Sequence, residues 1–141
     1  MEALAAFGIA CNVMQTIKFT FEVSDACKKA FRDGSVDPDL TQLAKRSAGI
    51  FTDLTQSLGQ FQPMDEDQHE LAGIARDCLA ASDVLNMEVA KIAHAGAQGK
   101  HFRSIRLGVR AKMKESKIEK LRAKMQRHQA VLELRLLIRV W

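Results

Sequence analysis

The sequence predicts an all-α protein, an up-down bundle of four long helices plus a short connecting helix. Helix-forming residues dominate the composition and strand signals are sparse, since the chain contains no Tyr, one Trp and two Pro. Apolar residues make up 47% of the 141 residues and recur at spacings of three and four, which is typical of amphipathic helices. A chain of this length and apolar content is expected to form a single domain, 1–141, with a sizeable core.

The first helix is predicted over residues 3–32 and begins with an apolar stretch, 1–17. In that stretch only Glu2 is charged, and the next charge is Lys18. Apolar residues cover most of the circumference, so this part of the helix belongs either in a bundle core or in lipid. It is shorter than the about 20 apolar residues of a transmembrane span, and it lacks the basic start of a signal peptide. We therefore expect a core helix in the resting protein, with release to a membrane in another state.

Two stripes at helical spacing mark the faces of this helix that are expected to be buried. The first stripe comprises Leu4, Phe7, Cys11, Met14, Ile17, Phe21 and Ser24. The second stripe comprises Ile9, Val13, Thr20, Val23, Cys27 and Phe31. Basic residues near its end suit the negative end of the helix dipole, and Asp33-Gly34-Ser35 is a stop signal.

The next two helices carry clear start signals. Asp37 followed by Pro38 predicts the start of a second helix that runs to about residue 61. Its near-heptad seam, typical of a bundle, is Leu40, Leu43, Ser47, Ile50, Leu54, Leu58 and Phe61. Asp65 with Gln68 forms a capping box for a third helix that runs to about residue 97. The seam of this third helix is Leu71, Ile74, Cys78, Ser82, Leu85, Val89 and Ile92.

The C-terminal part is predicted to hold the short connecting helix, over 100–113, and then the last helix. Ser116 with Glu119 forms a capping box that predicts the start of the last helix. Its apolar residues are Ile118, Leu121, Met125, Leu132, Leu134, Leu136, Leu137 and Ile138. Because the chain ends at Trp141 within this apolar pattern, we expect the sequence to be cut from a longer protein.

Charge is distributed unevenly along the chain. Residues 1–99 carry eight Lys or Arg against fourteen Asp or Glu, a net charge of −6, whereas residues 100–141 carry thirteen against three, a net charge of +10. This asymmetry either brings the C-terminal part onto the acidic body or presents it to an anionic partner.

A basic patch is therefore a candidate binding surface for anionic lipid or a partner. Its residues are Lys100, Arg103, Arg106, Arg110, Lys112 and Lys114. Three interpretations of the wider segment 100–127 stay open: a solvated face balanced by the acidic body, a surface for anionic lipid headgroups, and a nucleic-acid surface. Nucleic acid ranks last, because Phe102 is the one aromatic residue offered for base stacking.

The sequence carries no constellation typical of an enzyme, a metal site or a cofactor site. It lacks a phosphate-binding glycine loop and the motifs HExxH, GxSxG and CxxC. Glu66 and His69 supply one Glu-x-x-His match without a second copy, and His128 is expected to be a satisfied or partly exposed core histidine. The cysteines are expected to be small buried thiols in a reducing compartment: Cys11, Cys27 and Cys78.

Several stretches resemble one known family. The start M-E-A-L-A-A-F-G-I-A, one continuous first helix, and the closing basic segment S-K-I-E-K-L-R-A-K-M followed by L-E-L-R-L-L are similar to the N-terminal domain of fungal STAND receptors. This is the HeLo-like family, related to HeLo domains and to the four-helix killer domain of mixed-lineage kinase-like proteins. The similarity covers nearly the whole chain as a pattern of helices.

The resemblance implies a module that executes programmed cell death in fungal innate immunity and heterokaryon incompatibility. Such domains precede a nucleotide-binding domain and repeats in NOD-like receptors. The implied mechanism is self-association in the cytoplasm, exposure of the first helix, relocation to the plasma membrane and permeabilisation. Carried onto this chain, it concerns Glu2, Leu4, Phe7, Gly8, Ile9 and Val13, beside which Met14 adds apolar area. Downstream domains of the same receptor are implied partners. The glycine zipper of some members is reduced here to Gly8 with Ala6 and Ala10.

Two other functions remain open at this point. One is a regulatory protein–protein interaction bundle that docks homotypically or onto its own receptor without membrane activity. The other is nucleic-acid binding through 100–127.

Overall fold

The computed structural model describes the backbone of residues 2–33, 40–97 and 109–138, and the side chains of residues 5–30, 40, 42–92 and 115–137. Four α-helices make up almost all of this part of the chain: α1 (Glu2–Asp33), α2 (Leu40–Gln60), α3 (Glu66–Ala97) and α4 (Val109–Ile138). The prediction of an all-α helical bundle is confirmed. Both predicted ends of α1 and α3 and the predicted C-terminal end of α2 agree with the structure to within one residue.

Helix α4 runs antiparallel to α1 and to α3. On α1 and α4, Asp25 lies opposite Arg122 and Lys28 opposite Glu119, so the residue numbers rise along one helix as they fall along the other. A five-residue connection, 61–65, turns the chain back between α2 and α3. Helix α1 packs against the other three helices, α2 packs against α1 and α3, and α4 packs mainly against α1. Helix α1 is therefore the central element of the bundle.

The core consists of two apolar clusters along the bundle. One includes Ile17, Leu54 and Leu132, and the other includes Val23, Leu85 and Ile118. Between them α1 buries hydroxyl groups, and each of these donates a hydrogen bond to a carbonyl of its own helix. The bonds run from Thr16 to Asn12, from Thr20 to Thr16 and from Ser24 to Phe21, at 2.8–2.9 Å. This internal bonding lets polar side chains sit inside the bundle without an unsatisfied donor.

The predicted seams of α2 and α3 are confirmed. All seven seam residues of α3 are buried, and those of α2 are buried or half-buried. In α1 the second stripe is confirmed where its side chains are described, but the first stripe is partly wrong, because Phe7 and Cys11 are exposed. The inward positions near them are instead Ala6 and Ala10, both fully buried. Small residues at these positions let the helices approach closely.

The start of α3 confirms the capping box, with one shift. Asp65 Oδ1 accepts a hydrogen bond from the Gln68 backbone N–H at 2.8 Å. Gln68 Oε1 reaches back and accepts from the N–H of Met64 at 2.9 Å, one residue before the N-cap. Two backbone donors of the helix start are thereby satisfied.

Helix α4 starts earlier than the sequence indicates. It runs without interruption from Val109 through Ser116, so Ser116 is an exposed helical residue and not an N-cap. The residues before it, Ala111 to Glu115, are strong helix formers, and they continue the helix through the apparent capping box. The expected connecting helix lies outside the described residues up to position 108, as does the expected cap Asp37-Pro38.

Candidate functional site

The predicted site residues of α1 lie on two different faces. Ile9 and Val13 are buried in the first core cluster, and Met14 packs against that cluster. Phe7, by contrast, is 53% exposed, and its neighbour Gly8 is exposed as well. The structure therefore does not bring these residues together into one surface. The side chains of two further predicted residues lie outside the described part: Glu2 and Leu4.

Phe7 lies on the edge of α1 that faces α4. It precedes Asp25 by 18 residues, or about five helical turns, so the two share one side of the helix. Asp25 pairs with Arg122 on α4. Continued along the helix, the same register places Phe7 level with the C-terminal end of α4. An exposed aromatic ring therefore lies at the end of the bundle where α1 begins and α4 ends.

A groove runs beside Gly8, between α1 and the end of α2. Its volume is about 340 Å3, and its lining combines Ala5, Gly8, Ile9, Asn12, Ser57, Gln60 and Phe61. A Cβ atom at Gly8 would meet nothing within 4 Å, so the absent side chain helps to keep the groove open. The groove can accept an apolar side chain beside the polar groups of Asn12 and Gln60.

Arg122 joins α4 to α1 by three contacts. Its guanidinium group pairs with Asp25 and lies 3.4 Å from the Ser24 hydroxyl oxygen. The guanidinium carbon also lies 5.0 Å from the centroid of the Phe21 ring, which is a cation–π distance. One half-buried cation of α4 thus contacts a carboxylate, a hydroxyl and an aromatic face of α1.

Further ion pairs continue along α4. Lys28 pairs with Glu119, so in this ion pair α1 supplies the cation and α4 supplies the carboxylate. On α3, Asp77 lies 3.1 Å from His128 and 3.6 Å from Lys124. Near the end of α4, Arg135 pairs with two carboxylates of the first turns of α3, Asp67 and Glu70. Hydrogen bonding to Asp67 raises the pKa of Arg135 further, so this cation stays charged.

The charge asymmetry of the sequence is thereby explained in part, for Arg122, Lys124 and Arg135. This part of the basic region lies on the acidic body, which was one of the two expected outcomes. Exposed ion pairs contribute only about 0–1 kcal/mol each, whereas Ile118, Met125 and Leu132 of α4 are almost fully buried. Apolar burial therefore holds α4 in place, and the ion pairs fix its register.

The predicted basic patch is not described. Its six side chains, from Lys100 to Lys114, lie outside the described part of the chain, although Arg110, Lys112 and Lys114 belong to the backbone of α4. Further along α4, cations do lie on the exposed surface: Lys117, Lys120, Lys124 and Arg127. The described part of α4 therefore carries exposed basic residues of its own.

The thiols differ in exposure. Cys27 and Cys78 are buried as predicted, but the prediction for Cys11 is wrong, because Cys11 lies on the exposed face of α1 that also holds Phe7. Cys78 Sγ lies 3.5 Å from Met125 Sδ across the contact of α3 with α4. Burial, with the charge of Asp77 adding to it, raises the pKa of Cys78 to about 12. The Cys78 thiol is therefore neutral and unreactive at physiological pH.

Histidine and carboxylate groups do not converge on a metal site. In the part of the chain with described side chains, no group of three or more His, Cys, Asp or Glu residues is placed to hold a metal ion. His128 is partly exposed and bonded to Asp77, as expected of a satisfied histidine at the rim of the core.

Sequence reasoning missed the exposed apolar residues at the end of α4. Leu134 is 59% exposed and Leu137 is 80% exposed, whereas both were predicted only as apolar residues of the last helix, with no assignment to the surface. Leucines at 132, 134, 136 and 137 cannot share one face of a helix, because successive residues turn by 100°. The signal was the spacing itself, which assigns Leu132 to the core and Leu134 to the opposite side.

Comparison with known proteins adds no relative. No family model matches the chain, and no significant similarity to a curated protein or to a solved structure is found. Among the described helices, none has an apolar stretch long enough to cross a bilayer.

Proposed function

We propose that this chain is the N-terminal signalling domain of a NOD-like receptor, which triggers cell death by self-association and by binding a membrane surface through the N-terminal half of α1. The observation that carries the proposal is that the exposed face of this half-helix is uncharged where its side chains are described. Among residues 5–17 the exposed positions are Ala5, Phe7, Gly8, Cys11 and Gln15, and none of them is charged. An exposed face without charge is unusual for a surface helix in water.

The energetics favour two states of similar free energy. Burial of Ile9 or Val13 contributes roughly 1.5–3 kcal/mol each, and this gain is available in the bundle core or in lipid. Phe7 is exposed in the bundle, so it gains burial only when it enters an apolar phase. A preference of about 5.5 kcal/mol moves a two-state equilibrium from one state almost wholly to the other. Self-association of several receptors on one membrane supplies such a preference by adding their contributions.

Anionic lipid competes for the cations whose ion pairs position α4 on α1 and α3. Arg122 and Lys124 are bound by carboxylates of α1 and α3. Anionic lipid headgroups compete for such cations, with roughly 1 kcal/mol per cation close to the surface. We expect an anionic membrane to weaken the ion pairs with Asp25 and Asp77 and so to loosen the register of α4 on α1, while apolar burial still holds the helix on the bundle. In the resting state the domain is cytoplasmic, and it relocates to the plasma membrane on activation.

Dye release from vesicles tests this proposal. Deletion of 1–17 is a poor probe, because Ala6, Ile9, Val13 and Ile17 belong to the core and the shortened chain would unfold. Phe7→Glu is better, because Phe7 is exposed and the bundle tolerates the change. Met64→Glu is the matched control, since Met64 is 65% exposed on the connection between α2 and α3. We expect leakage of anionic vesicles by the unmodified chain and by Met64→Glu but not by Phe7→Glu. Equal leakage by all three proteins would refute the proposal.

A second candidate function is protein docking without lipid activity. The observation that favours it is the exposed apolar end of α4, which includes Leu134 and Leu137. This candidate predicts a defined oligomer in solution and intact vesicles. Nucleic-acid binding would show itself instead as steeply salt-dependent binding of DNA or RNA, and its absence at low salt would remove that function.

A further inference from the structure

We propose that two copies of this chain pair in parallel along the exposed side of α4. The outer face of α4 is defined here by Ala123, Arg127, Ala130, Glu133, Leu134 and Leu137, all of which are exposed. This inference rests on the self-association in the proposed function, and it names the surface and the orientation.

Helix α4 carries two seven-residue patterns on opposite sides. The inward pattern is Ile118, Met125 and Leu132, which are buried against α1 and α3. The outward pattern is Ala123, Ala130 and Leu137, also spaced by seven. A seven-residue repeat of apolar or small residues is typical of a helix that packs along its length against another helix. Helix α4 therefore has one side that is already packed and a second side with the spacing to pack.

Exposed leucines show that this outer face is more than a row of small residues. Leu134 and Leu137 are 59% and 80% exposed, and Val131 beside them is 37% exposed. Apolar residues concentrated in the last turns of one helix favour contact with another apolar surface. Ala123 and Ala130, two heptads and one heptad before Leu137, leave room for a second helix to approach to the usual 8–10 Å between helix axes.

The charges on either side of this seam select a second copy as the partner. One edge of the outer face is acidic or amide, with Glu119, Gln126 and Glu133 spaced by seven, and the other edge is basic, with Lys120 and Arg127 spaced by seven. Two identical helices that run in the same direction about a shared two-fold axis place the basic edge of one against the acidic edge of the other. In an antiparallel pair, like edges would meet and repel.

Arg127 and Glu133 form the main charged pair of this arrangement. Glu119 already pairs with Lys28, so Glu133 is the acid that Arg127 of the second copy reaches. Within one helix the two residues point about 120° apart around the axis and do not meet. Between two level copies they lie on facing edges, and their long side chains span the axial offset of about 9 Å. A charge swap between them therefore reports on contact between two copies.

The parallel orientation has a consequence for the membrane. Both copies point the same way, so both exposed Phe7 rings lie at the same end of the dimer. Contact along a single pair of helices buries less surface area than the roughly 1,000 Å2 of a stable interface. We therefore expect a weak dimer that forms when receptors are brought together.

Disulfide trapping tests the surface and its orientation. Single cysteines are introduced as Ala123→Cys or Ala130→Cys in a chain whose exposed native thiol is removed by Cys11→Ser. Ala90→Cys on α3 is the control, since Ala90 is equally an exposed alanine in a helix. In a parallel pair each of the two positions meets its own copy. We expect both to form disulfide dimers about tenfold faster than the control under mild oxidation, because pairing raises the effective thiol concentration.

The charge swap completes the test. In the Ala130→Cys chain, Arg127→Glu or Glu133→Arg alone should slow dimer formation, and the double variant should restore it. Trapping at Ala130 without trapping at Ala123 would indicate an antiparallel pair and overturn the proposal, as would rates equal to the control. A trapped dimer that releases no dye from anionic vesicles would leave this surface standing and remove the membrane function. If Arg127→Glu and Glu133→Arg leave the leakage unchanged, the membrane function stands and this pairing surface is overturned.

Discussion

The guanidinium carbon of Arg122 lies 5.0 Å from the centroid of the Phe21 ring, so the last helix rests a cation on an aromatic face of the first. Asp25, one turn further along α1, holds the same guanidinium group. This three-residue contact joins the basic C-terminal region to the central helix of the bundle. It also lies on the edge of α1 that continues to Phe7, and it therefore connects the stability of the bundle to the proposed membrane site.

Replacement of Arg122 should destabilise the bundle more than replacement of any fully exposed cation of α4. Arg122→Ala removes a cation–π contact of about 0.5–1 kcal/mol and an ion pair of about 0–1 kcal/mol, so we expect a loss of about 0.5–2 kcal/mol. Arg127→Ala is the matched control on the same helix, and it should change the free energy of unfolding by less than about 0.5 kcal/mol. Urea unfolding measures both. Equal effects would show that the Phe21 contact contributes nothing.

Core and surface leucines of α4 should differ sharply. Leu132→Ala removes a fully buried side chain and should cost about 2–5 kcal/mol. Leu137→Ala changes a side chain that is 80% exposed and should be nearly neutral in the isolated domain at low concentration. Chemical unfolding of the two variants checks the register of α4, since a helix rotated by half a turn would reverse the order.

Addition of a methyl group at Gly8 should stabilise the fold. The Cβ atom would meet nothing within 4 Å, and replacing Gly by Ala inside a helix contributes about 0.5–1 kcal/mol. Gly49→Ala is a matched control on α2, where the added Cβ is equally free. Thermal unfolding should show a higher melting temperature for both variants. A lower melting temperature for Gly8→Ala alone would show that the added methyl group clashes with a neighbouring group.

The cap of α3 should contribute measurably to stability. Asp65→Ala removes the carboxylate that accepts from the Gln68 N–H, and such a change costs about 1 kcal/mol. Asp83→Ala, an exposed change within the same helix, serves as control. If both variants unfold at the same urea concentration as the unmodified chain, the capping box has no role in solution.

Thiol reactivity should separate the three cysteines. Cys11 is exposed and should react quickly with a water-soluble thiol reagent, while Cys27 and Cys78 should react only after unfolding. The pKa of Cys78 in the folded chain is about 12, against 9.0 for an ordinary thiol. Between these values the unfolded thiol loses its proton first, so the stability contributed by Cys78 is complete below about pH 9 and declines as the pH rises towards 12. A rapid count of more than one thiol at neutral pH would contradict the burial.

The sequence predicts α2 and α3 well because their contacts are made by large apolar side chains. Leu71, Leu85 and Ile92 recur at helical spacing, and Asp65 with Gln68 marks the helix start by local hydrogen bonding alone. Each of these signals depends on neighbours within a few residues, so it is legible without the tertiary structure.

Helix α1 is harder to predict because its inward face is built from small residues. Ala6 and Ala10 form buried contacts but carry little hydrophobic signal, whereas Phe7 carries a strong signal and lies outside. The contact of Arg122 with Phe21 joins residues about a hundred positions apart. Charge composition predicts only that the basic region meets either the acidic body or an anionic partner. The predicted N-cap at Ser116 is wrong because the helix-forming residues before it continue the helix through the local capping pattern.

Insertion of Phe7 into lipid is the central claim, and the fluorescence of a single tryptophan tests it most directly. Trp141 is the one Trp of the chain, so Phe7→Trp combined with Trp141→Phe places the only indole at the proposed site. With anionic vesicles we expect a blue shift of the emission and quenching by brominated acyl chains, while neutral vesicles leave the emission unchanged. Emission that stays the same with anionic vesicles, in a chain shown to bind them, would contradict the account.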